Sequence, residues 1–422
     1  MFRRHQADLI WIFGSALLST EGKCETIEIA ARDTTKSLVN LDSAVVSTYS
    51  DLLSPEQIGA ARWVTDSTMN GGFGSDDISN ALNSIPGVLM ETRGMGGSRR
   101  INVRGSALRS PFGVRNTMLY LRGFVLTEAD GTSPVEWLEP AWSGPMEMIT
   151  GAAATTYGGA YGGALVARGA EFPEGMQYQR QIGTTGNTGT QGRLNVVLGG
   201  QNWNVRGNQS WNDGYRDHEW NQRWHLEANF RRVSRGNHVH QDWLAAQDGS
   251  WALPGAIKED SDPLESPGKI YDAHVRRRRA LWGHHVHLPE IGVFKRRSTL
   301  DVWTLLRWTD KVNPYGSSPF YNGYKEESGL GGSLRIRQRF APMTVGKVRM
   351  QAEWTAIGIA DNNKVAEWSS AIEGVNSPLR YDLDLEQWRS QFAPSVAWAW
   401  DNGFRLETAC ALTYRARRAY GV

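Results

Sequence analysis

The sequence predicts an all-β transmembrane barrel of about ten antiparallel strands. Ten segments alternate apolar and polar side chains, as strands with two different faces do. Long polar loops are expected at 249–270, 312–330 and 359–387, with only short turns between other segments, which is the loop pattern of outer-membrane barrels. Trp and Tyr recur near the segment ends, as in the aromatic girdles of such barrels. A large soluble β-sandwich or propeller also alternates and is the competing fold.

The alternation favours the barrel because its polar face carries many full charges. The segments lie at or near 191–200, 203–211, 223–230, 238–246, 274–287, 299–309, 334–340, 348–354, 389–400 and 404–414. In 334–340, for example, Leu334 and Ile336 alternate with Arg335 and Arg337. A water-filled lumen accommodates such charges.

Composition excludes several classes of protein. In 422 residues, 46 Lys and Arg stand against 44 Asp and Glu, a net charge of +2 that does not suit a nucleic-acid binder. The two cysteines, at positions 24 and 410, exclude a disulfide scaffold and a four-thiolate metal site. No apolar run reaches 18 residues, so no membrane-spanning helix is expected.

The first 180 residues differ from the rest of the chain. Residues 1–22 have the layout of a signal peptide, with a basic N-terminal region, an apolar stretch and small residues at the expected cleavage site. The region after it is rich in Gly and has short β-prone runs at 100–104 and 118–121. Apolar residues at helical spacing predict a helix over 76–85, which a Pro-Gly turn ends. This part is therefore expected to be an α+β domain.

Four blocks in this domain follow one another in a characteristic order. They are Ile78-Ser-Asn-Ala-Leu-Asn-Ser-Ile-Pro-Gly-Val88, the run 100–116, Leu119-Tyr-Leu-Arg-Gly-Phe124 and Met146-Glu-Met-Ile-Thr-Gly151. Together they resemble the plug domain of TonB-dependent outer-membrane receptors. The long block at 100–116 is similar to the ferric-citrate-like branch of that family. Two departures stand out: the family usually has Asp at the position of Arg122, and Gly-Pro in place of Gly151-Ala152.

The resemblance implies a domain organisation. It comprises a signal peptide (1–22), a TonB-box and linker segment (23–60), an N-terminal α+β plug domain (61–180) and a partial transmembrane β-barrel (181–422). Such receptors have 22 strands around a plugged lumen, which need roughly 220 residues at ~10 each. Only 422 − 176 = 246 residues follow Met176, so we expect about ten of the 22 antiparallel strands and a C-terminally truncated fragment.

The resemblance also implies a function. The segment Glu25, Thr26, Ile27, Glu28, Ile29, Ala30 and Ala31 is similar to a TonB box, which adds as a strand to a TonB-type periplasmic energy-transducing protein. The expected activity is import of a ferric chelate, a siderophore or ferric citrate, across the outer-membrane lipid of a Gram-negative cell. The alternatives are an outer-membrane glycan importer and a secreted soluble carbohydrate-binding β-protein.

Candidate site residues come from the same resemblance and from the charge pattern. Arg104 and Glu147 match family positions near the plug–barrel contact and are candidates for a plug–barrel lock or for a plain structural ion pair. The candidate ligand-binding residues are Arg109, Ser110, Arg115, Arg335 and Arg337. A cationic lumen attracts an anionic cargo, although any wet barrel tolerates arginine.

Enzymatic and metal chemistry are not expected. The Gly-rich runs lack the Gly-Lys-Ser/Thr of a phosphate loop, and no nucleophile elbow orders Ser, His and Asp. No catalytic residue, cofactor or metal site is therefore predicted. Histidines at 284, 285 and 287, with His238 and His240, allow metal ligation in principle, but wet barrel walls carry histidine without metal more often.

Overall fold

A computed structural model describes the chain as a small N-terminal domain packed against one large antiparallel sheet. The described residues are 62–64, 78–92, 99–106, 113–115, 117–139, 142–158, 162–169, 175–185, 189–255, 262, 274–293, 296–318, 321–369 and 378–421. The predicted signal peptide and the predicted TonB box at 25–31 lie outside these residues. Within them, no helix has the length and apolar character needed to cross a membrane.

The N-terminal domain has the expected α+β architecture. Its elements are β1 (Arg62–Val64), α1 (Ser79–Asn83), β2 (Val88–Thr92), β3 (Arg99–Val103), β4 (Met118–Leu121), β5 (Phe124–Val125), β6 (Met146–Ile149) and β7 (Ala164–Ala167), with 3₁₀ helices over Val135–Trp137 and Gly151–Tyr157. Five strands form a sheet in the order β1-β6-β7-β4-β5, in which only β4 and β7 run parallel. Strands β2 and β3 form a separate hairpin.

The helix of this domain confirms the apolar spacing in the sequence. Ile78, Leu82 and Ile85 are buried in the domain core. The helix stops before Pro86, because a following proline disfavours the helical backbone. Gly87 then takes a left-handed φ of 79°, which turns the chain into β2. The helix ends at Asn83, two residues before the predicted end at 85.

The large sheet is a meander in which each long strand pairs antiparallel with the next. Its strands are β8 (Gly175–Thr185), β9 (Gly189–Gly200), β10 (Trp203–Asn212), β11 (Asn221–Val233), β12 (Val239–Ala252), β13 (His274–Val293), β14 (Arg296–Ser318), β15 (Tyr321–Phe340), β16 (Met343–Val345), β17 (Val348–Trp368), β18 (Leu379–Trp400), β19 (Arg405–Ala409) and β20 (Leu412–Gly421). Strands β19 and β20 pair with β18 in one register, interrupted beside Pro394, which has no N–H to donate. In the described part of the chain, β8 and β20 lie at opposite edges, so the sheet is open.

The two faces of this sheet are inverted relative to a soluble protein. On β10, Asn204 and Arg206 are almost fully buried, whereas Trp203 and Val205 are exposed. The polar face, here called the inner face, packs on the N-terminal domain, and the apolar outer face is open. A soluble sandwich buries its apolar face, whereas a membrane barrel turns that face to lipid. The inversion therefore confirms the predicted partial transmembrane barrel with its N-terminal α+β domain.

The sheet starts earlier in the chain than predicted. The described residues form eleven long strands, counting β19 with β20 as one, and the additional strand is β8. Its outer-face residues Met176, Tyr178 and Ile182 alternate correctly, but Arg180 interrupts the pattern. The predicted domain boundary at 180/181 consequently lies inside β8.

Two predicted loops are largely strand. Residues 312–330 and 359–387 extend β14, β15, β17 and β18 well beyond the apolar alternation. Both faces of these extensions carry polar residues, so a period-two apolar pattern cannot reveal them. Backbone pairing and cross-strand contacts hold them instead, such as Lys311 Nζ to Glu327 Oε2 at 3.0 Å and Arg380 Nη1 to Glu367 Oε1 at 3.1 Å.

A tight turn joins β4 and β5 where the N-terminal domain meets the large sheet. Arg122 and Gly123 both have left-handed backbones, with φ of 55° and 87°, as a two-residue type I′ hairpin turn requires. A β-carbon at Gly123 would overlap the indole ring of Trp303 on β14. Both the backbone and the close packing therefore require glycine here.

We expect Gly123→Ala to destabilise the packed protein by about 2–4 kcal/mol, since left-handed strain adds to displacement of a buried ring. Gly105→Ala is the matched control, because Gly105 has a similar φ of 84° but no atom within 4 Å of an added β-carbon. Urea unfolding of the detergent-solubilised chain measures both. Equal losses in the two variants would contradict the packing argument.

Candidate functional site

The inner face of the large sheet contacts the N-terminal domain through a buried ion pair. Nη2 of Arg122 lies 2.7 Å from Oε1 of Glu227 on β11, and only 5% and 3% of the two side chains are exposed. Asn229 donates a second hydrogen bond of 2.7 Å to the same carboxylate oxygen. Gly169 leaves space for the guanidinium, because a β-carbon there would lie 2.8 Å from its central carbon. This pair explains the arginine that departs from the family pattern.

Two carboxylates after β5 form a second set of contacts with the inner face. Glu139 is buried, with Nη2 of Arg223 at 2.7 Å and Nη2 of Arg193 at 3.5 Å. Glu136 lies 3.4 Å from Nη1 of Arg277 and 3.7 Å from Nη1 of Arg279. Together the two acids bridge strands β9, β11 and β13.

These arginines keep both acids ionised. Burial opposes the charged form of Glu139, but Arg223 and Arg193 outweigh it and lower its pKa from 4.5 to about 2. Burial likewise opposes ionisation of Glu136, and Arg277 and Arg279 lower its pKa to about 2. A carboxylate held in this way contributes to docking at neutral pH.

Arg335 anchors the β4–β5 turn from the opposite side. Its Nη1 donates to the carbonyl of Gly123 at 3.1 Å. Its guanidinium lies over the rings of Trp303, Tyr120 and Tyr157, at 4.5, 5.1 and 5.7 Å from their centroids. The next inner-face arginine, Arg337, instead makes a two-pronged contact with the carboxylate of Glu353, at 2.7 and 2.8 Å.

Further polar contacts join strands β17 and β18 to the N-terminal domain. The backbone N–H of Ala129 donates to Asp361, whose other oxygen accepts from Arg307. Arg389 donates to the carbonyl of Gly158 at 2.7 Å, and Gln391 donates to the carbonyl of Thr155 at 2.8 Å. The contact surface therefore relies heavily on ion pairs and on hydrogen bonds to backbone carbonyls.

Comparison with known proteins identifies this arrangement. Residues 55–164 match the family described as TonB-dependent Receptor Plug Domain. The unliganded ferric citrate transporter FecA shares the fold with a TM-score of 0.60 and 14% identity, over 85% of this chain and 60% of that one. Residues 55–164 therefore form a plug domain of the TonB-dependent receptor type, and the large sheet shares the fold of such a transporter. The N-terminal domain of the chain is the plug, and its large sheet is here called the wall.

Two further solved structures show the same fold at low identity. The ferric yersiniabactin uptake receptor FyuA of Yersinia pestis has a TM-score of 0.56 and 10% identity, over 85% of this chain and 61% of its own. FpvA of P. aeruginosa bound to a heterologous pyoverdine has a TM-score of 0.61 and 10% identity, over 88% of this chain and 54% of its own. The chain thus spans less than two thirds of each of these proteins. No curated protein sequence matches it.

The predicted lock residues lie apart from the ion pairs that join plug and wall. Arg104 is exposed after β3 and has a left-handed φ of 49°. Glu147 on β6 is buried, and Nη2 of Arg168, also in the plug, lies 3.5 Å from its Oε2. Their role as a lock stays a prediction, while the structure forms its plug–wall ion pairs with Arg122, Glu136 and Glu139.

The predicted ligand-binding residues fall in three places. Arg115 is exposed on the plug, whereas Arg335 and Arg337 are engaged on the wall as described above. Arg109 and Ser110, like the TonB box at 25–31, lie outside the described residues. Ligand binding by these side chains stays a prediction.

Sequence reasoning missed the contacts of Arg122, Glu136 and Glu139. The alternation in 223–230 places Glu227 opposite Trp224 and Leu226, on the polar face, but nothing in the sequence indicates which plug residue faces it. The usable signal was the Arg-Gly pair between two β-prone runs, which is the position of a two-residue turn. A long cation at a turn tip reaches further than the aspartate that the family usually has there.

The predicted histidine cluster is divided between the two faces of the wall. His284 contacts Asp242 at 2.8 Å, while His285 and His287 contact Asp301 at 3.0 and 2.8 Å. Across the residues that the structure describes, no three His, Cys, Asp or Glu side chains are grouped so as to hold a metal ion. Each histidine of this run has a carboxylate partner instead.

We expect Arg122→Ala to weaken plug–wall packing by about 3 kcal/mol, because it leaves Glu227 buried without its closest cation. Arg297→Ala is the matched control, since Arg297 also lies 2.7 Å from a glutamate, Glu290, but on the surface, where such a pair contributes about 1 kcal/mol or less. Hydrogen exchange of the β4 amides measures the opening. Adding Glu227→Gln should restore part of the loss, and equal effects of both arginine variants would refute the assignment.

Plug–wall packing is expected to weaken in acid. The pKa values of Glu136 and Glu139 are lowered from 4.5 to about 2, so their contribution is complete above pH 4.5 and is lost as pH falls toward 2. Urea unfolding at several pH values, followed by Trp fluorescence, measures this loss. The double variant Glu136→Gln, Glu139→Gln should flatten the curve in that window, and an unchanged slope would argue against these two acids.

Proposed function

We propose that the chain is part of an outer-membrane receptor that imports a ferric chelate, a siderophore or ferric citrate. The observation that carries this proposal is a plug seated against the inner face of a wall by buried ion pairs. A seated plug closes a lumen that would otherwise leak, so uptake requires the plug to be remodelled. We expect a transporter and not an enzyme.

The polar character of the plug–wall contact suits such remodelling. Separating two apolar surfaces exposes both to water at a cost that grows with area. Separating Arg122 from Glu227, or Glu139 from Arg223, returns charged groups to water, which solvates them strongly. The contact is thus stable while dry and becomes easier to open once water enters. Pulling by a TonB-type partner on the predicted TonB box at 25–31 would supply the initial force.

The inner face also favours an anionic cargo. Besides the arginines paired with plug acids, it carries further cations along β14 and β15. The described inner-face cations include Arg193, Arg206, Arg223, Arg231, Arg277, Arg279, Arg307, Lys311, Lys325, Arg335, Arg337, Arg339, Arg349, Arg389, Arg405, Arg415 and Arg417, and the inner-face carboxylates of the wall include Glu227, Asp301, Glu327, Glu353, Asp361, Glu367 and Glu407. An excess of positive charge in a lumen attracts anionic chelates and raises their local concentration.

The outer face argues against the soluble alternative. Large apolar side chains stand exposed in rows along neighbouring strands, including Trp224, Leu226, Leu244, Leu306 and Leu330. An exposed apolar surface of this extent requires lipid or a partner. We therefore propose location in the outer membrane, where lipid covers this face. A glycan importer shares that location and differs in its cargo.

Uptake and binding measurements separate these candidates. The chain is expressed in a Gram-negative strain that lacks its own ferric-chelate receptors, and membranes are fractionated. We expect the protein in the outer membrane, binding of labelled ferric citrate or a ferric siderophore, and uptake that is lost when residues 25–31 are deleted while binding persists. Binding of neutral maltooligosaccharide but no ferric chelate would favour the glycan importer, and recovery in the soluble periplasm would overturn both.

A further inference from the structure

An open cavity lies on the outer face of the wall, beside the short turn between β11 and β12. Its volume is about 360 Å³. It is lined by Phe230, Arg231, Arg232, Asp242, Trp282 and His284. Three neighbouring strands contribute, since Asp242 is paired in register with Phe230 on one side and with His284 on the other. The cavity thus combines aromatic and cationic side chains on a surface that is otherwise apolar.

The cavity has one outer-face guanidinium without a carboxylate partner. Asp242 accepts a 2.8 Å hydrogen bond from His284, so its carboxylate is already engaged. Arg232 is exposed and shares the outer face with Phe230 and Asp242, whereas Arg231 alternates to the inner face and borders the cavity at the exposed end of β11. In the described part of the chain, neither arginine forms an ion pair. His240 adds a further ring, 5.8 Å from that of His284. The guanidinium of Arg232 is therefore free to pair with an anion in the cavity.

The apolar side of the cavity continues into the lipid-facing surface. Phe230 and Trp282 are 45% and 39% exposed, and Leu226 and Leu244 stand on the same face toward the middle of the strands. An acyl chain lying along these residues has its polar end at Arg232. This is the arrangement of a lipid with its headgroup in the cavity, and a free anion would leave the aromatic side unused.

The cavity lies at one end of the apolar surface of the outer face, and its depth in the membrane follows from its distance to the other end. At that other end, cross-strand ion pairs lie on the outer face, with Arg276 to Asp248 at 2.8 Å and Arg278 to Asp310 at 2.6 Å. Six residues of β12 separate Asp242 from Asp248, at most roughly 20 Å of strand. This is shorter than the ~25 Å apolar band of such barrels, so the cavity lies at the edge of the hydrocarbon layer. Short turns in these barrels face the periplasm.

We propose that this cavity binds the phosphate headgroup of an anionic phospholipid in the periplasmic leaflet, with its acyl chain along Trp282 and Leu244. The proposal rests on the outer-membrane location proposed above. Arginine suits this ligand because its planar guanidinium matches two phosphate oxygens at once. At the hydrocarbon edge such a contact is stronger than in water, since less solvent screens it. A zwitterionic lipid binds less well because its own cation offsets the phosphate.

Native mass spectrometry of the detergent-solubilised chain tests this directly. The probes are phosphatidylglycerol and phosphatidylcholine with identical acyl chains, added in equal amounts. We expect preferential retention of phosphatidylglycerol, weakened about fivefold in the variant Arg232→Gln, from the loss of one cation–phosphate contact. The control Arg278→Gln removes the same charge from the same face at the other edge and should leave retention unchanged.

Other outcomes overturn the proposal. Equal retention of the two lipids, or equal loss in the Arg232→Gln and Arg278→Gln variants, would show that no headgroup site exists at this cavity. Displacement of phosphatidylglycerol by an equal concentration of inorganic phosphate would assign the cavity to a free anion. Brominated phosphatidylglycerol provides a second measurement: it should quench the parent more than Trp282→Phe, and equal quenching would refute contact with Trp282.

The test is independent of cargo. Ferric-chelate binding is measured on the same preparations and also shows that the variants are folded. Lipid retention without chelate binding in the parent would defeat the proposed function and leave the lipid site standing. Chelate binding without selective lipid retention would defeat the lipid site alone.

Discussion

The position of the plug against the wall depends on the buried ion pair between Arg122 and Glu227. Each charge loses its water in the interface, and an unpaired partner would be costly to keep there. The surrounding structure is arranged to make the pair possible: a left-handed turn projects the guanidinium, Gly123 admits the indole of Trp303, and Gly169 leaves room beside the arginine. The position of β4 and β5 against β11 and β14 follows from these requirements.

The same logic extends over the whole contact between plug and wall. Glu136 and Glu139 each face two arginines of the wall, and several wall side chains donate to plug carbonyls. A polar inner face is unusual as a buried surface, and it is paired with an outer face whose large apolar side chains are exposed. The two faces together suit a protein whose interior opens to water while its exterior does not.

Sequence patterns predicted the faces of the strands well because alternation is a local property. Side chains of a strand point to opposite faces in turn, so Asn204 and Arg206 could be separated from Trp203 and Val205 without any knowledge of neighbours. The extensions at 312–330 and 359–387 were missed because polar residues on both faces leave no alternation to read. Strand β8 was missed because Arg180 interrupts its apolar face. Contacts such as Arg122 with Glu227 join residues 105 positions apart, and no local pattern carries that information.

The sequence by itself determined the class of fold, the order of plug and wall, the polar and apolar faces of the strands and the Pro-Gly turn at 86–87. These depend on backbone periodicity and turn chemistry, which act over a few residues. Only the tertiary structure decided which charges meet: Glu227 with Arg122, Glu139 with Arg223 and Arg193, and Arg335 with the carbonyl of Gly123. Charge pairing depends on strand register and on the position of the plug against the wall, and both arise from the packing of the whole chain.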